Sequence, residues 1–373
     1  MPKIIDSKKV FVGLSGGVDS AVSAALLKQQ GFDVTGVFIK AWSPAGYPCT
    51  WKEDRRSAMR VCAVLDIPFL TLDLEKEYKN DVVDYMIREY KIGRTPNPDV
   101  MCNKEIKFGY FLKFALSQGA DFVATGHYAR VFPHLNQGEG RVGFKESADK
   151  TKDQSYFLWT LSQNELKHIL FPIGHLQKSE VRKLALKFCL PQATRKDSQG
   201  LCFLGQIDMK EFLKEFVGAE KGDVLDLQGR KIGEHDGAIL YTLGERHGFS
   251  VLNKATESEP FYVVDKNIEK NTITVATKNQ TSLDQAKSSY ELEQTNWILG
   301  DIPQGKIECR YRYRQTKIPC SIKITPHQKS QGAPLTVVFE EPQLIASGQS
   351  IVFYLPDDES GRGEICLGGA IIK

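Results

Sequence analysis

The stretch that most constrains the fold is VFVGLSGGVDSAVSAALLKQQG, residues 10–31. Val10 to Leu14 is a short apolar run, fit for a buried strand. It passes through a glycine-rich turn directly into a helical pattern, Ser20 to Gln30, which Gly31 stops. The alternation continues. DVTGVFIK (33–40) reads as strand, EDRRSAMRVCAVL (53–65) as helix and IPFLTLDL (67–74) as strand. A helix follows over 75–90, then the turn-rich GRTPNPD (93–99), then a helix over NKEIKFGYFLKFALSQ (103–118) closed by Gly119, then the strand DFVATGHYA (121–129). Strands and helices alternating at this spacing predict βαβ units and a parallel sheet covered on both faces. Residues 132–150 are polar and contain glycine, which predicts a surface loop. Residues 160–190 are mostly helical in pattern.

Near residue 205 the character changes. GDVLDLQGRKIGEHDG (222–237) reads as short strands with glycine turns. Beyond about 280 IECRYRYRQ, PCSIKITP, PLTVVFEEP and QSIVFYLP are all strand-like, which predicts a small β-barrel. The expected fold is α/β. A parallel-sheet domain over 1–206 is followed by a mostly-β central domain over 207–283 and a C-terminal β-barrel over 284–373.

A chain of 373 residues accommodates two or three such domains. Its formal net charge of +3 announces no nucleic acid globally, so any RNA surface must be local. No apolar run reaches the ~18 residues of a membrane helix. The N-terminus lacks a secretory apolar region. The expectation is a cytoplasmic protein with no membrane partner. The eight cysteines, Cys49, Cys62, Cys102, Cys189, Cys202, Cys309, Cys320 and Cys366, include no CxxC pair, which argues against a zinc ribbon. A reducing compartment argues against a disulfide framework.

Glycines at 13, 16 and 17 between strand and helix let the backbone approach a ligand, and the helix start favours an anion there. Ser15, Asp19 and Ser20 can hydrogen-bond a phosphate, a metal or the helix end. GK[ST], the lysine-bearing end of a P-loop, is found nowhere in the chain, and the spacing does not fit GxGxxG. A plain turn capped by Asp19 or Ser20 is the alternative. SGGVDS in this setting resembles the PP-loop of ATP pyrophosphatases, which cut ATP between the α and β phosphates. Two cysteines stand in chemically suggestive surroundings. Cys102 opens a helix, where the dipole favours the thiolate, with Lys104 and Lys107 close by. Cys202 lies in the loop RKDSQGLCFLG, between glycines and after Arg195 and Lys196. Cys62 and Cys189 fall in helical patterns, and Cys309, Cys320 and Cys366 in strand patterns, as small buried hydrophobes. Cys49, in SPAGYPCTW, is ambiguous. In CRYRYRQTK, strand alternation puts Arg310, Arg312 and Arg314 on one face and Tyr311 and Tyr313 on the other. Residues 301–330 hold seven Lys or Arg against two Asp or Glu, a local positive surface suited to phosphate.

SGGVDS, TPNPDVMCNKEIKF, ATGHYAR, KDQSYFL and KDSQGLCFLG, in that order, resemble the tRNA-specific 2-thiouridylase family. GEHDG (233–237), YVVDKN (262–267), RYRQT (312–316) and CLGG (366–369) extend the likeness over nearly the whole chain. The family's TLGQRKG stands here as TLGERHG (242–248), and its terminal GGG-like stretch as GGA (368–370). The resemblance implies ATP-dependent replacement of the 2-oxygen of uridine 34 of tRNA by sulfur. It implies ATP, with Mg²⁺, at Gly13, Leu14, Ser15, Gly16, Gly17, Val18, Asp19 and Ser20, with Ile39 against the adenine, Gly126 near the nucleotide and Asp19 near the metal. It places Asn97, Pro98 and Asp99 at the target base. Cys202 would carry a persulfide, and Cys102 would be its nucleophilic partner, attacking the persulfide or releasing the sulfur with formation of a disulfide. Asp99 is a plausible acid or base and equally an Asx-turn residue. His127, Lys152, Asp153, Gln154, Arg312, Tyr313 and Gln349 would contact tRNA. A cysteine desulfurase or a relay carrier would supply the persulfide sulfur. Three other readings stand beside this one: a PP-loop ligase or amidase that needs no cysteine pair, an ATP-regulated RNA-binding protein that releases no pyrophosphate, and a universal-stress-type nucleotide sensor, which shares the sheet but does not explain the C-terminal β region.

Overall fold

A computed structural model of the chain describes residues 7–44, 46–47, 51–133, 141–195, 208–252, 259–278, 286–324, 335–356 and 365–373. The first seven strands are β1 (Lys9–Gly13), β2 (Asp33–Lys40), β3 (Phe69–Asp73), β4 (Phe122–Ala124), β5 (Ala129–Pro133), β6 (Val142–Glu146) and β7 (Ile169–Leu170). Five of them form a parallel sheet in the order β3–β2–β1–β4–β7. β1 is central and buried on both faces, with Val10 and Val12 fully buried and Phe11 nearly so. Its alternation divides the core. Val10 and Val12 pack with the helices Val18–Gln29, Trp51–Leu65 and Lys178–Lys187. Phe11 packs with Met86, Ile106 and Phe111 from the helices over 75–91 and 98–117. From β1 the chain runs outward through β2 and β3, then crosses back to β4. Such a reversal opens a crevice at the carboxyl ends of β1 and β4, where ligands bind in open α/β sheets.

The structure differs from the sequence-based expectation in several places. The strand expected over 121–129 is two strands, because the backbone leaves the sheet after Ala124 and enters β5 at Ala129. The segment expected as a loop over 132–150 contains β6, which pairs antiparallel with β5 and buries Phe144 completely. β7, inside the segment expected to be helical, is too short for any periodicity. The helix expected from 103 begins at Pro98. Asn97 caps it, its side chain accepting from the Val100 N–H at 3.2 Å, and proline takes the first helical position, where no N–H is needed. Residues Cys102–Tyr110 of this helix are π-helical. Cys189 is exposed rather than buried, sitting past the end of Lys178–Lys187 with φ +53°. Cys62, Cys309, Cys320 and Cys366 are buried as expected, whereas Cys49 and Cys202 lie outside the described residues.

The central region carries β8 (Gly222–Leu225), β9 (Lys231–His235), β10 (Phe249–Val251), β11 (Phe261–Asn267) and β12 (Thr272–Thr277) in one sheet, ordered β10–β9–β8–β12–β11. The last six strands are β13 (Lys287–Trp297), β14 (Ile307–Arg310), β15 (Ile318–Ile324), β16 (Leu335–Gln343), β17 (Ser350–Tyr354) and β18 (Cys366–Ile372). They close into a barrel in the order β13–β16–β15–β14–β17–β18. Its core includes Cys309, Val337, Ile351, Phe353 and Ile372, all fully buried. β14 stops at Arg310, so the expected Arg/Tyr alternation is not realised. Arg310 turns inward, 2.7 Å from Glu146 and 3.4 Å from Asp153. The chain then turns, Arg314 adopts φ +62°, and Arg312, Tyr313 and Arg314 are all exposed. Among the described residues no helix is long and apolar enough to cross a membrane.

Candidate active site

The loop from Gly13 to Ser20 leaves β1 at the sheet crevice. It is braced by its own side chains. The Ser15 N–H donates to the Ser20 hydroxyl at 3.2 Å, which donates in turn to the Gly17 carbonyl at 3.2 Å. Gly17 occupies the helix cap position and provides no side-chain acceptor. Neither Asp19 nor Ser20 caps the helix, so the first-turn amides face a ligand site with the positive end of the helix dipole behind them. Leu14, Val18 and Ile39 form buried apolar surface at this end of the sheet. Gly126, just after β4, faces the loop across the crevice. A Cβ there would lie 2.6 Å from the Ser20 nitrogen and 2.8 Å from the Asp19 carbonyl carbon, so only glycine lets the two strand ends approach this closely.

Two cations frame the loop. Lys178, which opens a helix, lies 2.7 Å from one Asp19 carboxylate oxygen and 2.8 Å from the other. The Tyr128 hydroxyl donates to the same carboxylate at 3.0 Å. Arg195 donates to the Gly16 carbonyl at 2.9 Å and pairs with Asp54 at 2.6 Å. Sequence reasoning missed Lys178 because its partner is 159 residues away. The available signal was its position in the first turn of a helix opened by Gln177 and Glu180 as a capping box. Cys202, only seven residues beyond Arg195, lies outside the described residues.

Cys102 is completely buried in the second turn of the helix that starts at Pro98, and its N–H bonds back to the Pro98 and Asp99 carbonyls. Asp99 stands in the first turn, where a carboxylate suits the helix dipole. His127 is buried. Its Nδ1 is 2.7 Å from the Thr125 hydroxyl, and its Nε2 is 3.2 Å from the Lys107 ammonium. Burial first, then Lys107, holds the imidazole pKa well below its ordinary value. The neutral ring therefore donates from Nδ1 to Thr125 and accepts from Lys107 at Nε2. His127 thus joins the crevice to the helix that carries Cys102.

Family models match almost the whole chain: a tRNA methyl transferase HUP domain over residues 8–206, a tRNA methyl transferase PRC-barrel domain over 210–277 and an aminomethyltransferase beta-barrel domain over 287–372. The tRNA-specific 2-thiouridylase MnmA of Alkaliphilus oremlandii is 43% identical over 378 residues, covering 100% of this chain and 99% of that protein. That of Bacillus subtilis is 42% identical over 380 residues, covering 100% and 96%. This chain belongs to the tRNA-specific 2-thiouridylase family. Among solved structures, the U34-tRNA thiolase NcsA from Methanococcus maripaludis is similar over 56% of this chain and 63% of its own, with 18% identity and a TM-score of 0.35.

In this 2-thiouridylase the remaining expected site residues lie where the first domain meets the barrel. Lys152 and Gln154 are half-buried and flank Asp153, which is 4% exposed. Asp153 accepts from the Ser147 N–H at 3.0 Å and the Ser155 hydroxyl at 2.7 Å. Burial first, then the nearby Glu146, raises the pKa of its carboxyl above the usual range. Its side chain faces inward and shapes the strap that carries Lys152 and Gln154. Gln154 accepts from the Tyr128 N–H at 3.0 Å. Tyr313 stacks obliquely on Phe157 with ring centres 4.6 Å apart, and the Phe157 carbonyl accepts from Asn103 at 3.1 Å, one residue after Cys102. Arg312 donates to the Leu243 carbonyl of the central region at 3.1 Å, within TLGERHG. Gln349 accepts from the Ala346 N–H at 3.2 Å. Exposed Arg312 and Tyr313 therefore border the aromatic contact that adjoins the Cys102 helix.

Proposed function

We propose that this protein is a tRNA-uridine 2-sulfurtransferase that converts wobble uridine 34 to 2-thiouridine, with release of AMP and pyrophosphate. The observation that carries the reading is an uncapped helix N-terminus at the sheet crevice, framed by Lys178 and Arg195, in a member of the 2-thiouridylase family. The loop amides and Lys178 hold the β and γ phosphates of ATP, and Ile39 lines the adenine side. The uridine 2-oxygen attacks the α-phosphorus, the bond to the β-phosphate oxygen breaks, and pyrophosphate leaves into the amide cradle. Among the described residues no three His, Cys, Asp or Glu side chains form a metal cage. A divalent ion would accompany the triphosphate, and Asp19 would be its protein carboxylate once Lys178 turns to phosphate.

Asn97 to Asp99 receive the base, and Asp99 handles the proton at its ring nitrogen. The terminal sulfur of a Cys202 persulfide attacks C2, and AMP departs with the former 2-oxygen. The Cys102 thiolate then attacks Cys202 Sγ. The S–S bond breaks, its electron pair stays on the sulfur attached to C2, and a Cys102–Cys202 disulfide forms. A small thiol reductant restores the two thiols, and a persulfide donor protein, a cysteine desulfurase or a relay carrier, reloads Cys202. Lys152, Gln154, Arg312, Tyr313 and Gln349 hold the RNA, while His127 and Asp153 shape the surfaces beneath it.

The test is thiolation of unmodified tRNA with ATP and a persulfide donor, comparing wild type with Cys102→Ala and Cys202→Ser. Pyrophosphate and 2-thiouridine are read separately. The expected result is pyrophosphate release without thiouridine in both variants. Full thiouridine formation in either variant contradicts the two-thiol scheme.

A further inference from the structure

Residues 94–97 lead into the base-facing turn and the Cys102 helix, yet several of their partners belong to the barrel. Arg94 lies between two carboxylates. Its Nε is 2.8 Å from Glu89, and its Nη2 pairs with Glu293 of β13. The same Nη2 donates to the Ile372 carbonyl of β18 at 3.4 Å. The Thr95 N–H donates to the Ser347 carbonyl at 2.8 Å, and the Thr95 hydroxyl meets that of Thr242 in the central region at 3.1 Å. Gly348 lies directly against this segment with φ +87°, and a Cβ on it would come 2.9 Å from the Thr95 nitrogen. The Asn97 side chain neighbours the Tyr156 hydroxyl, whose single proton is shared between the Tyr311 and Ser350 carbonyls, both at 3.1 Å.

Two barrel loops take part in this holding, one directly through Ser347 and Gly348 and one through Tyr156, and both carry residues assigned above to RNA. Ser347 and Gly348 immediately precede Gln349, and Tyr311 immediately precedes Arg312 and Tyr313. The loop at 347–349 is itself knitted to β18, by Gly348 N–H to the Ile372 carbonyl at 2.7 Å and Ile372 N–H to the Gln349 carbonyl at 2.9 Å. RNA seated on these loops therefore bears on the backbone that fixes 94–97. Neither Arg94 nor Glu293 touches the nucleotide loop in this network.

We propose that Arg94 is a positioning residue: through its pair with Glu293 the C-terminal barrel sets the Asn97–Cys102 turn in register with the nucleotide loop. The proposal rests on the functional reading above. It makes turnover depend on the barrel while ATP binding does not, and it makes the barrel part of the active-site frame rather than an RNA handle alone.

The test uses the full chain with Arg94→Met, Arg94→Lys and Glu293→Gln. It reads the dissociation constants of tRNA and ATP, the single-turnover thiolation rate, and amide hydrogen exchange. In Arg94→Met the rate is expected to fall about tenfold or more, because small misplacements of reacting groups are costly. Both dissociation constants stay within about threefold, a loss confined to the transition state. Arg94→Lys recovers part of the rate. Exchange rises over 97–110 and stays unchanged over 18–29. A rate within about twofold of wild type in both Arg94→Met and Glu293→Gln, or a loss that tracks tRNA affinity, overturns the proposal. So does exchange that rises equally in both segments. If Arg94→Met does not fold, Glu293→Gln carries the same test, since it leaves the Arg94–Glu89 pair in place. A wild-type protein that forms no thiouridine counts against the functional reading, and the exchange pattern still decides the clamp.

Discussion

The nucleotide loop and the turn before Cys102 are built in opposite ways. Between Gly13 and Ser20 the bonds within the loop join residues at most five apart, and the outer supports, among them Ser57, Gly126, Tyr128, Lys178 and Arg195, come from the same sheet domain. Between Arg94 and Asn97 the partners include Thr242, Glu293, Ser347 and Ile372, at sequence separations up to 278. On the proposed reading, ATP binding is a property of one domain, whereas placement of the base and of the Cys102 helix is a property of the whole chain.

The sharpest way to break the local half is Gly126→Ala. Its Cβ meets backbone, which cannot rotate away, so the helix start must move. Pyrophosphate release is expected to fall by about 10² or more, with tRNA binding retained. Unchanged release contradicts the assigned crevice. Lys178→Met is next. It removes the cation nearest the expected β and γ phosphates, and pyrophosphate release should fall by about 10- to 100-fold. A loss of tRNA affinity with normal pyrophosphate release would instead move Lys178 to the RNA surface.

Gly348→Ala attacks the long-range half. A side chain at φ +87° and 2.9 Å from the Thr95 nitrogen is strained on both counts. A cost of about 1–3 kcal/mol in unfolding free energy is expected. Thiolation should slow while ATP affinity stays at the wild-type value. Equal losses in both would place the two regions under one control. His127 has the smallest effect. Its folded pKa lies well below the ordinary value, so below about pH 6.5 the unfolded chain binds a proton that the folded protein resists. Its stabilising contribution is therefore full above the unfolded pKa and declines as pH falls below it. Urea unfolding at pH 7.5 and 5.5 should show a smaller acid loss for His127→Asn than for wild type. Equal losses would mean that another group sets the acid limb.

What the sequence made legible follows the same division. The strand, glycine turn and helix at 10–29 were readable because their cause is local: an apolar run, glycines at the turn and a helical period. The barrel was readable from its repeated strand patterns. Arg310 was not. Its inward turn depends on Glu146 and Asp153, which another domain supplies, and alternation alone placed it beside Arg312. The helix start at Pro98 carried a recognisable Asn-Pro cap signal, but the surrounding Gly and Pro made the segment read as a turn. Lys178 meets Asp19, 159 residues away, only in the folded chain, as Gly348 meets Thr95.

The central claim is that the 2-oxygen of the target uridine leaves on AMP. The direct measurement is one turnover on tRNA whose wobble uridine carries ¹⁸O at the 2-position, followed by mass analysis of the released AMP, pyrophosphate and water. The account predicts ¹⁸O in the AMP phosphate. Thiouridine formed with the label in water or pyrophosphate, and none in AMP, would contradict it.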